Sequence, residues 1–157
     1  MRAMRVVLQR VTSARVSVEG EVVGRIGHGL VAFVGVTDGD SPDDAATLGK
    51  KTSALRLFAD EDRPFHLSVR DIGGAVLVIS QFTLHGDVRK GNRPSWSSAA
   101  RPAVAEPLVA AYAEALESNG ARVSQGRFGA NMQVELLNDG PVTLVIDSEE
   151  LRRARPR

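Results

Sequence analysis

The segment Leu30–Val36 constrains the fold most, because every position in it is apolar or glycine. It is far shorter than the roughly 20 residues that a membrane-spanning helix requires. A continuous apolar run of this length, bounded by Gly27-His28-Gly29, is typical of a strand that is buried on both faces. Ala75–Ser80 is apolar up to its last residue and has the same character. A sheet with buried strands is therefore predicted at the centre of the fold.

Further strands are predicted where valine-rich or alternating segments lie between turn signals. They are Arg5–Val18, Glu21–Ile26, a short strand near Arg122–Ser124, Met132–Asn138 and Val142–Asp147. The last two are separated by a Gly-Pro corner, for which the simplest interpretation is a hairpin connection. The stretch from Phe58 to Gly74 shows no such pattern and is predicted to be irregular.

Two helices are predicted. The first covers about 42–57, because Ser41 and Asp44 form a capping-box pattern around a proline at the first helical position. The second covers Glu106–Asn119 and ends where Gly120 suits a left-handed cap. Together these elements predict a single-domain α+β fold, with a mainly antiparallel, barrel-like β-sheet and two packed helices.

Composition excludes several kinds of chemistry. The chain has no cysteine, which rules out a thiol nucleophile, disulfides and cysteine-ligated metals. Its three histidines lie in separate segments without metal-ligand spacing, so no metal and no cofactor are expected. No segment is suited to span a membrane or to act as a signal peptide, so a cytoplasmic protein is expected.

The arginine distribution permits a polyanionic partner. The net charge is only +1, but basic residues cluster at 1–15, at 85–101 and in the C-terminal tail. The planar guanidinium of arginine suits phosphate recognition. Solvated surface charge is the alternative interpretation, and charge alone does not decide between the two.

Two polar segments carry the chemistry. Ser80–Leu84, with the sequence Ser-Gln-Phe-Thr-Leu, ends a buried strand, where its polar groups must bond to backbone or face a ligand. Asn138–Thr143, with the sequence Asn-Asp-Gly-Pro-Val-Thr, forms the corner between the last two predicted strands. Each segment alone also has an ordinary structural interpretation.

With both segments present, the chain resembles the D-aminoacyl-tRNA deacylases from about Met4 to Ser148. The resemblance also includes Gln9-Arg10-Val11, Gly24 to Gly35, Arg89-Lys90-Gly91, Arg93-Pro94-Ser95, Gly126 to Ala130 and Met132-Gln133-Val134. It implies a deacylase domain over 1–148. The basic tail, 149–157, lies beyond it and either contacts tRNA phosphates or lacks fixed structure.

The resemblance implies a cofactor-free hydrolase that cleaves the ester of D-aminoacyl-tRNA in translation quality control. It implies a homodimer with active sites at the subunit interface, lined by Ser80, Gln81, Phe82 and Thr83. The Gly140-Pro141 corner, with a cis bond, would enter the partner's pocket and exclude an L side chain sterically. Glycine has no side chain to exclude, so glycyl-tRNA is expected to be a substrate as well.

The resemblance leaves two catalytic schemes open. In one, Thr83 is the nucleophile, but no base that would activate its hydroxyl is visible in the sequence. In the other, which we favour, the 2′-hydroxyl of the substrate and water carry out the reaction while backbone N–H groups near Phe82 stabilise the oxyanion. The remaining substrate-site residues implied are Arg10, which would support the corner, Asn138, and Phe128 and Met132 at the adenosine end.

The resemblance implies departures from the family pattern at His85 and Gly86, which would border the pocket, and a conservative change at Trp96, where phenylalanine is commoner. Met4 is an alternative start to Met1. Two other functions remain open: a module that binds the tRNA 3′ end without turnover, and a deacylase for another misacylated tRNA, such as an L-alanyl one. The intact Ser80–Leu84 and Gly140-Pro141 segments argue against the second.

Overall fold

A computed structural model describes residues 3–153 of the chain. The element bounds agree closely with the predicted ones along most of the chain. In chain order the elements are β1 (Arg5–Val18), β2 (Glu21–Ile26), β3 (Gly29–Gly35), α1 (Pro42–Ala54), β4 (Phe58–Asp60), β5 (Arg63–Leu67), β6 (Ala75–Ser80), a 3-10 turn (Phe82–His85), α2 (Pro102–Ser118), β7 (Arg122–Gln125), β8 (Met132–Asp147) and α3 (Ser148–Arg152).

The main sheet has the strand order β2-β1-β3-β6-β7, with β8 on the other edge of β1. Strand β1 is antiparallel to β2, β3 and β8. This confirms the mainly antiparallel, barrel-like α+β prediction. The β3–β6 and β6–β7 pairs are parallel, which was not predicted. Each follows a connection that contains a helix, because parallel neighbours need a crossover rather than a tight turn.

The core lies on both faces of the sheet. On β3, Leu30 and Val34 pack into the cluster under the two long helices, while Val31 packs into the cluster inside the curved sheet. All three are at most 1% exposed. The continuous apolar run is therefore a strand buried on both faces, as predicted, because successive side chains point to opposite sides.

Helix α1 begins at the predicted capping box, in which Ser41 and Asp44 bond reciprocally to each other's backbone N–H. It ends at Ala54 rather than at about 57, because Leu55 turns to an extended conformation. Helix α2 begins at Pro102 rather than at 106, since Pro102 itself suits the first helical position. At its C-terminal end Gly120 has a φ of +93°, the left-handed cap that was predicted.

Two local predictions are wrong. The stretch from Phe58 to Gly74 contains the β4–β5 hairpin, whose exposed second strand lacks the apolar alternation that would reveal it. The Gly-Pro corner is not a hairpin connection, because β8 continues through it from Met132 to Asp147 and pairs with β1 on both sides.

The described part of the basic tail is ordered against the domain. It forms the short helix α3, whose N-cap Asp147 accepts a hydrogen bond from Glu150 N at 2.7 Å. Arg152 makes a 2.8 Å ion pair with Asp44 of α1. Residues 154–157 lie outside the described residues. None of the helices in the described range is long and apolar enough to cross a membrane.

Candidate functional site

A cavity of about 500 Å³ opens where β6 ends. Its walls come from three places: the end of β6 with the following turn, the start of α2 with the residues before it, and the loop that leads into β8. Of the residues predicted for the site, Ser80, Gln81 and Phe82 line it from the first wall, and Phe128 and Met132 line it from the third. The structure thus brings together residues almost 50 positions apart in sequence, from 80–82 to 128–132.

The turn after β6 is fixed by the neighbouring strand. Gln81 N donates to Val34 O at 2.7 Å, which extends the β3–β6 ladder by one bond. The chain then closes a 3-10 turn, in which Leu84 N donates to Gln81 O at 3.2 Å. The first N–H groups of such a turn, those of Phe82 and Thr83, have no acceptor within it. Phe82 itself lines the cavity, so this end of the turn lies at the cavity wall.

Close packing holds this turn against β3. A Cβ at Gly35 would lie 3.0 Å from Gln81 O and 3.1 Å from His85 Cδ2, so a glycine lets the turn approach the strand. His85 is fully buried behind the turn, and Phe82 and Thr83 are on its exposed side. His85 therefore supports the turn and is not part of the described wall of the cavity.

Thr83 has a hydrogen-bond partner that does not activate it. Its hydroxyl oxygen accepts a hydrogen bond from Gln81 Nε2. An amide N–H donates and cannot take a proton from a hydroxyl, so it is not a general base. This geometry disfavours Thr83 as a nucleophile and leaves Gln81 as the residue that orients its side chain.

The third wall depends on glycine. A Cβ at Gly126 would lie 2.6 Å from Met132 Sδ, so the thioether packs on bare backbone. Gly126 N also donates to Val78 O at 3.0 Å, which ties the loop to β6. Gly129 has a φ of +76°, a conformation that favours glycine. Phe128 and Met132 are half-buried on either side of this bend.

The Gly140-Pro141 corner is a bulge in β8. Gln9 pairs with Thr143 and Val11 pairs with Asn138, so four residues, 139–142, lie opposite Arg10 alone. The Gly140–Pro141 peptide bond is cis, as the resemblance implies. Gly140 has a φ of +117°, and both corner residues are exposed.

Arg10 and Asn138 hold the bulge from two sides. Arg10 Nε donates to Asp139 O at 3.1 Å, and Nη1 donates to Leu57 O at 2.7 Å. Asn138 Nδ2 donates to Arg10 O at 3.0 Å and to Val142 O at 3.1 Å. The amide therefore spans the base of the bulge, and the guanidinium anchors its tip to the end of the α1–β4 connection.

Within one chain the corner does not reach the cavity. None of Arg10, Asn138, Gly140 and Pro141 is among the described residues that line it, and Thr83, which was expected to line the site, is also absent from its wall. The predicted site thus falls into two groups on the same molecule, one that lines the cavity and one on an exposed bulge of β8.

Sequence reasoning missed the second wall, which is formed by Trp96, Ala99, Ala100, Pro102 and Ala105. Its one sequence signal is the only tryptophan of the chain, set in a loop rich in glycine, serine and arginine. Over residues 3–153, no three His, Asp or Glu side chains are grouped to hold a metal ion.

Comparisons with known proteins agree on one family. Residues 7–147 match the family model described as D-Tyr-tRNA(Tyr) deacylase. The D-aminoacyl-tRNA deacylase of Chloroflexus aurantiacus is 56% identical over 152 residues, which cover 97% of this chain and 95% of that protein. The D-aminoacyl-tRNA deacylase of Mycobacterium marinum is 56% identical over 147 residues, with 92% and 99% coverage.

Two solved structures share the fold. One, described as a c-Myc DNA unwinding element binding protein, has a TM-score of 0.85 at 36% identity and covers 91% of this chain and 97% of its own. The other, described as a probable eukaryotic D-amino acid tRNA deacylase, has a TM-score of 0.81 with 93% and 100% coverage. At 17% identity the second supports the fold alone.

Proposed function

Because the chain belongs to the D-Tyr-tRNA(Tyr) deacylase family, we propose that its cavity holds the 3′ end of D-aminoacyl-tRNA during hydrolysis and that a second copy closes it. The family and the relatives support hydrolysis of D-aminoacyl-tRNA as the activity. The products are a free D-amino acid and tRNA. In this proposal the reaction is a step of translation quality control in the cytoplasm. One observation carries the finer proposal: the corner is exposed on a bulge of β8 and does not line the cavity of its own chain.

The long edge strand favours a homodimer. Strand β8 has 16 residues and pairs on one edge with β1. Long unprotected edges invite pairing with another chain. On its outer face Leu137 is 63% exposed and Val145 is 58% exposed, on either side of the corner. A second copy that covers this face would bury these side chains and carry Gly140 and Pro141 into the neighbouring cavity.

Steric exclusion by a held backbone explains the choice of D over L. The corner presents backbone and a proline ring, and the bonds from Arg10 and Asn138 keep it from yielding. An L side chain on the α-carbon of the ester would point into this wall, whereas hydrogen or a D side chain leaves it clear. A glycyl ester passes for the same reason, so glycyl-tRNA is also hydrolysed.

The reaction uses substrate and backbone groups in preference to Thr83. The amide of Gln81 bonds the Thr83 hydroxyl and supplies no base. The 2′-hydroxyl of the terminal ribose and a water molecule instead provide the proton transfer and the attack. The N–H groups of Phe82 and Thr83 at the start of the turn would donate to the oxyanion that develops. Phe128 and Met132 then contact the terminal adenosine.

The first experiment charges one tRNA separately with D-tyrosine, L-tyrosine and glycine, and follows ester loss at equal enzyme concentrations with a chelator present. The proposal expects rapid loss of the D-tyrosyl and glycyl esters and survival of the L-tyrosyl ester. Equal loss of both tyrosyl esters would contradict steric exclusion. Survival of all three esters while tRNA still binds would contradict hydrolysis itself.

A second experiment tests the shared site with two inactive variants. Ala130→Trp fills the cavity, and Gly140→Val distorts the corner. When the two are unfolded and refolded together, activity should return to about one quarter of wild type, because half of the dimers are mixed and each holds one intact site. Activity no higher than that of either variant alone would contradict a site built from two chains.

A further inference from the structure

Two aromatic rings form the outer edge of the cavity. Phe82 is 55% exposed and Trp96 is 44% exposed, and their rings meet edge to face with centroids 5.5 Å apart. Both residues also line the cavity, so each has one side toward the interior and one toward solvent. Large aromatic surface left in water beside a cavity marks a place where a ligand binds.

The tryptophan ring is seated against a glycine. A Cβ at Gly86 would lie 2.7 Å from Trp96 Cζ3 and 3.1 Å from Thr83 O, so no side chain fits between the turn and the ring. Ala99 N donates to Trp96 O at 3.0 Å and fixes the backbone that carries the ring. The ring is therefore held in place before any ligand arrives, which reduces the entropy lost on binding. Gly86 and Trp96, two of the three positions that were expected to depart from the family pattern, are in contact with each other.

A basic loop, residues 88–94, lies just before Trp96 in the chain. Asp87 and Ser95 exchange two backbone hydrogen bonds, each of 2.8 Å, and close the loop. Residues 88–94 are all exposed and carry Arg89, Lys90 and Arg93. Asp87 is the only acidic residue between 85 and 101, and it pairs with Arg89. The loop thus retains a net positive charge directly beside the exposed rings.

We propose that Trp96 and Phe82 form a stacking surface for the unpaired base that precedes the terminal nucleoside of tRNA, with the 88–94 loop binding the adjoining phosphates. Aromatic rings beside a cationic track are the combination by which proteins bind single-stranded nucleic acid. The terminal nucleoside enters the cavity, so the next base lies at its mouth, where these rings are. The inference rests on the proposed function and adds two positioning residues to it.

Stacking binds a strand whatever its sequence, because every base has a π-face. The charge of the loop disfavours an apolar protein segment. The exposed rings favour a nucleic acid over an acidic protein segment, because bases stack on aromatic rings while phosphates meet the cations. The stacking interaction should strengthen the binding of the single-stranded tRNA end without contacting the reacting ester.

The kinetic test compares two esters, D-tyrosyl-tRNA and D-tyrosyl-adenosine, which lacks the preceding base. Trp96→Leu should raise KM for the tRNA ester by about 5- to 100-fold, the range for loss of one stacked base, with kcat within about twofold. KM for the adenosine ester should rise by a clearly smaller factor, because only the tRNA ester carries the base that stacks on the ring. Trp96→Phe keeps a ring and should stay within about fivefold of wild type for both esters. Phe65→Leu, a matched loss of a 56% exposed aromatic side chain elsewhere, should change neither.

Intrinsic fluorescence gives an independent measurement, since Trp96 is the only tryptophan. The trinucleotide CpCpA should quench its emission, and the quenching should weaken as salt rises. In the double variant Lys90→Ala/Arg93→Ala the slope of this salt dependence should fall by roughly one to two.

Three results would overturn the inference: an unchanged KM for the tRNA ester in Trp96→Leu, an equal rise for both esters, or a shift of that variant to a different oligomeric state. If the wild-type chain hydrolyses neither ester, the proposed function fails, and quenching by CpCpA still decides for or against the stacking surface. If Trp96→Leu does not fold, Gly86→Ala is the alternative, because its methyl group displaces the Trp96 ring without removing it. This variant should raise KM for the tRNA ester selectively over KM for the adenosine ester.

Discussion

The side-chain amide of Asn138 gives the sharpest test of how the corner is held. Its Nδ2 donates to Arg10 O at 3.0 Å and to Val142 O at 3.1 Å, and so joins the two sides of the bulge. Asn138→Asp keeps the shape of the side chain but replaces a donor of two protons with a carboxylate oxygen. The two carbonyl oxygens that received hydrogen bonds would then face an acceptor.

The expected magnitude follows from these two bonds. Loss of both, as in Asn138→Ala, should lower the free energy of unfolding by about 1–3 kcal/mol. The aspartate adds electrostatic repulsion and should cost about 2–4 kcal/mol in total. The Arg10 guanidinium does not offset this, because it is already bonded to Leu57 O and Asp139 O. The distinctive expectation is the order of stability, in which Asn138→Asp is less stable than Asn138→Ala.

The measurement is urea unfolding at one fixed protein concentration, since assembly would change the apparent stability. Asn119→Asp is the matched control, because its Nδ2 donates to a single backbone oxygen, Ala115 O, at 2.7 Å at the end of α2. It should cost roughly half as much as Asn138→Asp. If Asn138→Asp proves as stable as Asn138→Ala, the amide is not a double donor and the account of the bulge is refuted.

The same variants connect stability to selectivity. A loosened corner should lower the ratio of D-tyrosyl to L-tyrosyl ester hydrolysis by about ten- to a hundredfold in Asn138→Asp, because small displacements of a positioning group are costly. Asn119→Asp should keep the wild-type ratio. A loss of selectivity in both variants would show that global stability, and not the corner, sets the ratio.

The remaining predictions concern the turn and the helices. Thr83→Val should retain single-turnover hydrolysis of D-tyrosyl-tRNA within about tenfold, whereas a loss of about 10⁴-fold would identify a nucleophile. Gly49→Val should lower the free energy of unfolding, measured in urea, by at least about 1–3 kcal/mol, because even a Cβ at this position would lie 2.5 Å from Ala115 Cβ. Unchanged stability would refute the close approach of the two helices. Thr52→Val should cost about 1–3 kcal/mol in the same assay, since it leaves the buried Tyr112 hydroxyl without its 2.8 Å partner. Burial raises the pKa of Tyr112, so the folded protein keeps the phenol proton at a pH where the unfolded chain loses it. The free energy of unfolding should therefore fall as pH rises above about 10. Titration of the Tyr112 absorbance at the ordinary tyrosine pKa in the folded protein would contradict this.

Features that depend on local sequence were predictable. The capping box of α1 lies within four residues, and the left-handed cap at Gly120 needs only a glycine. The buried strand β3 is predictable from its continuous run of apolar residues. Residues 80–82, which line the cavity, were assigned to the site by the family resemblance, because polar groups at the end of a buried strand can also bond to neighbouring backbone.

Features that depend on pairing between distant segments of the chain could not be predicted from the sequence. The bulge at Gly140 looks like a hairpin in sequence, because turn residues favour both, and only the continued pairing of β8 with β1 distinguishes them. The parallel β3–β6 pair likewise depends on how helices cover the sheet. Trp96 joins the cavity through a loop closed by the Asp87–Ser95 bridge, a contact without a periodic signal.

The pairing of β1 with β8 has a consequence for synthesis. Arg5 meets Asp147 and Val18 meets Met132, so the first strand emerges from the ribosome with most of the chain still to follow before its partner. Such distant contacts form late in folding, after the loop between them has closed. Arg10 and Asn138, one on each strand, therefore come together in this last event. A nascent chain without β8 therefore lacks both the part of the cavity wall that includes Met132 and the Gly140-Pro141 corner, and it gains the two together when this final strand docks.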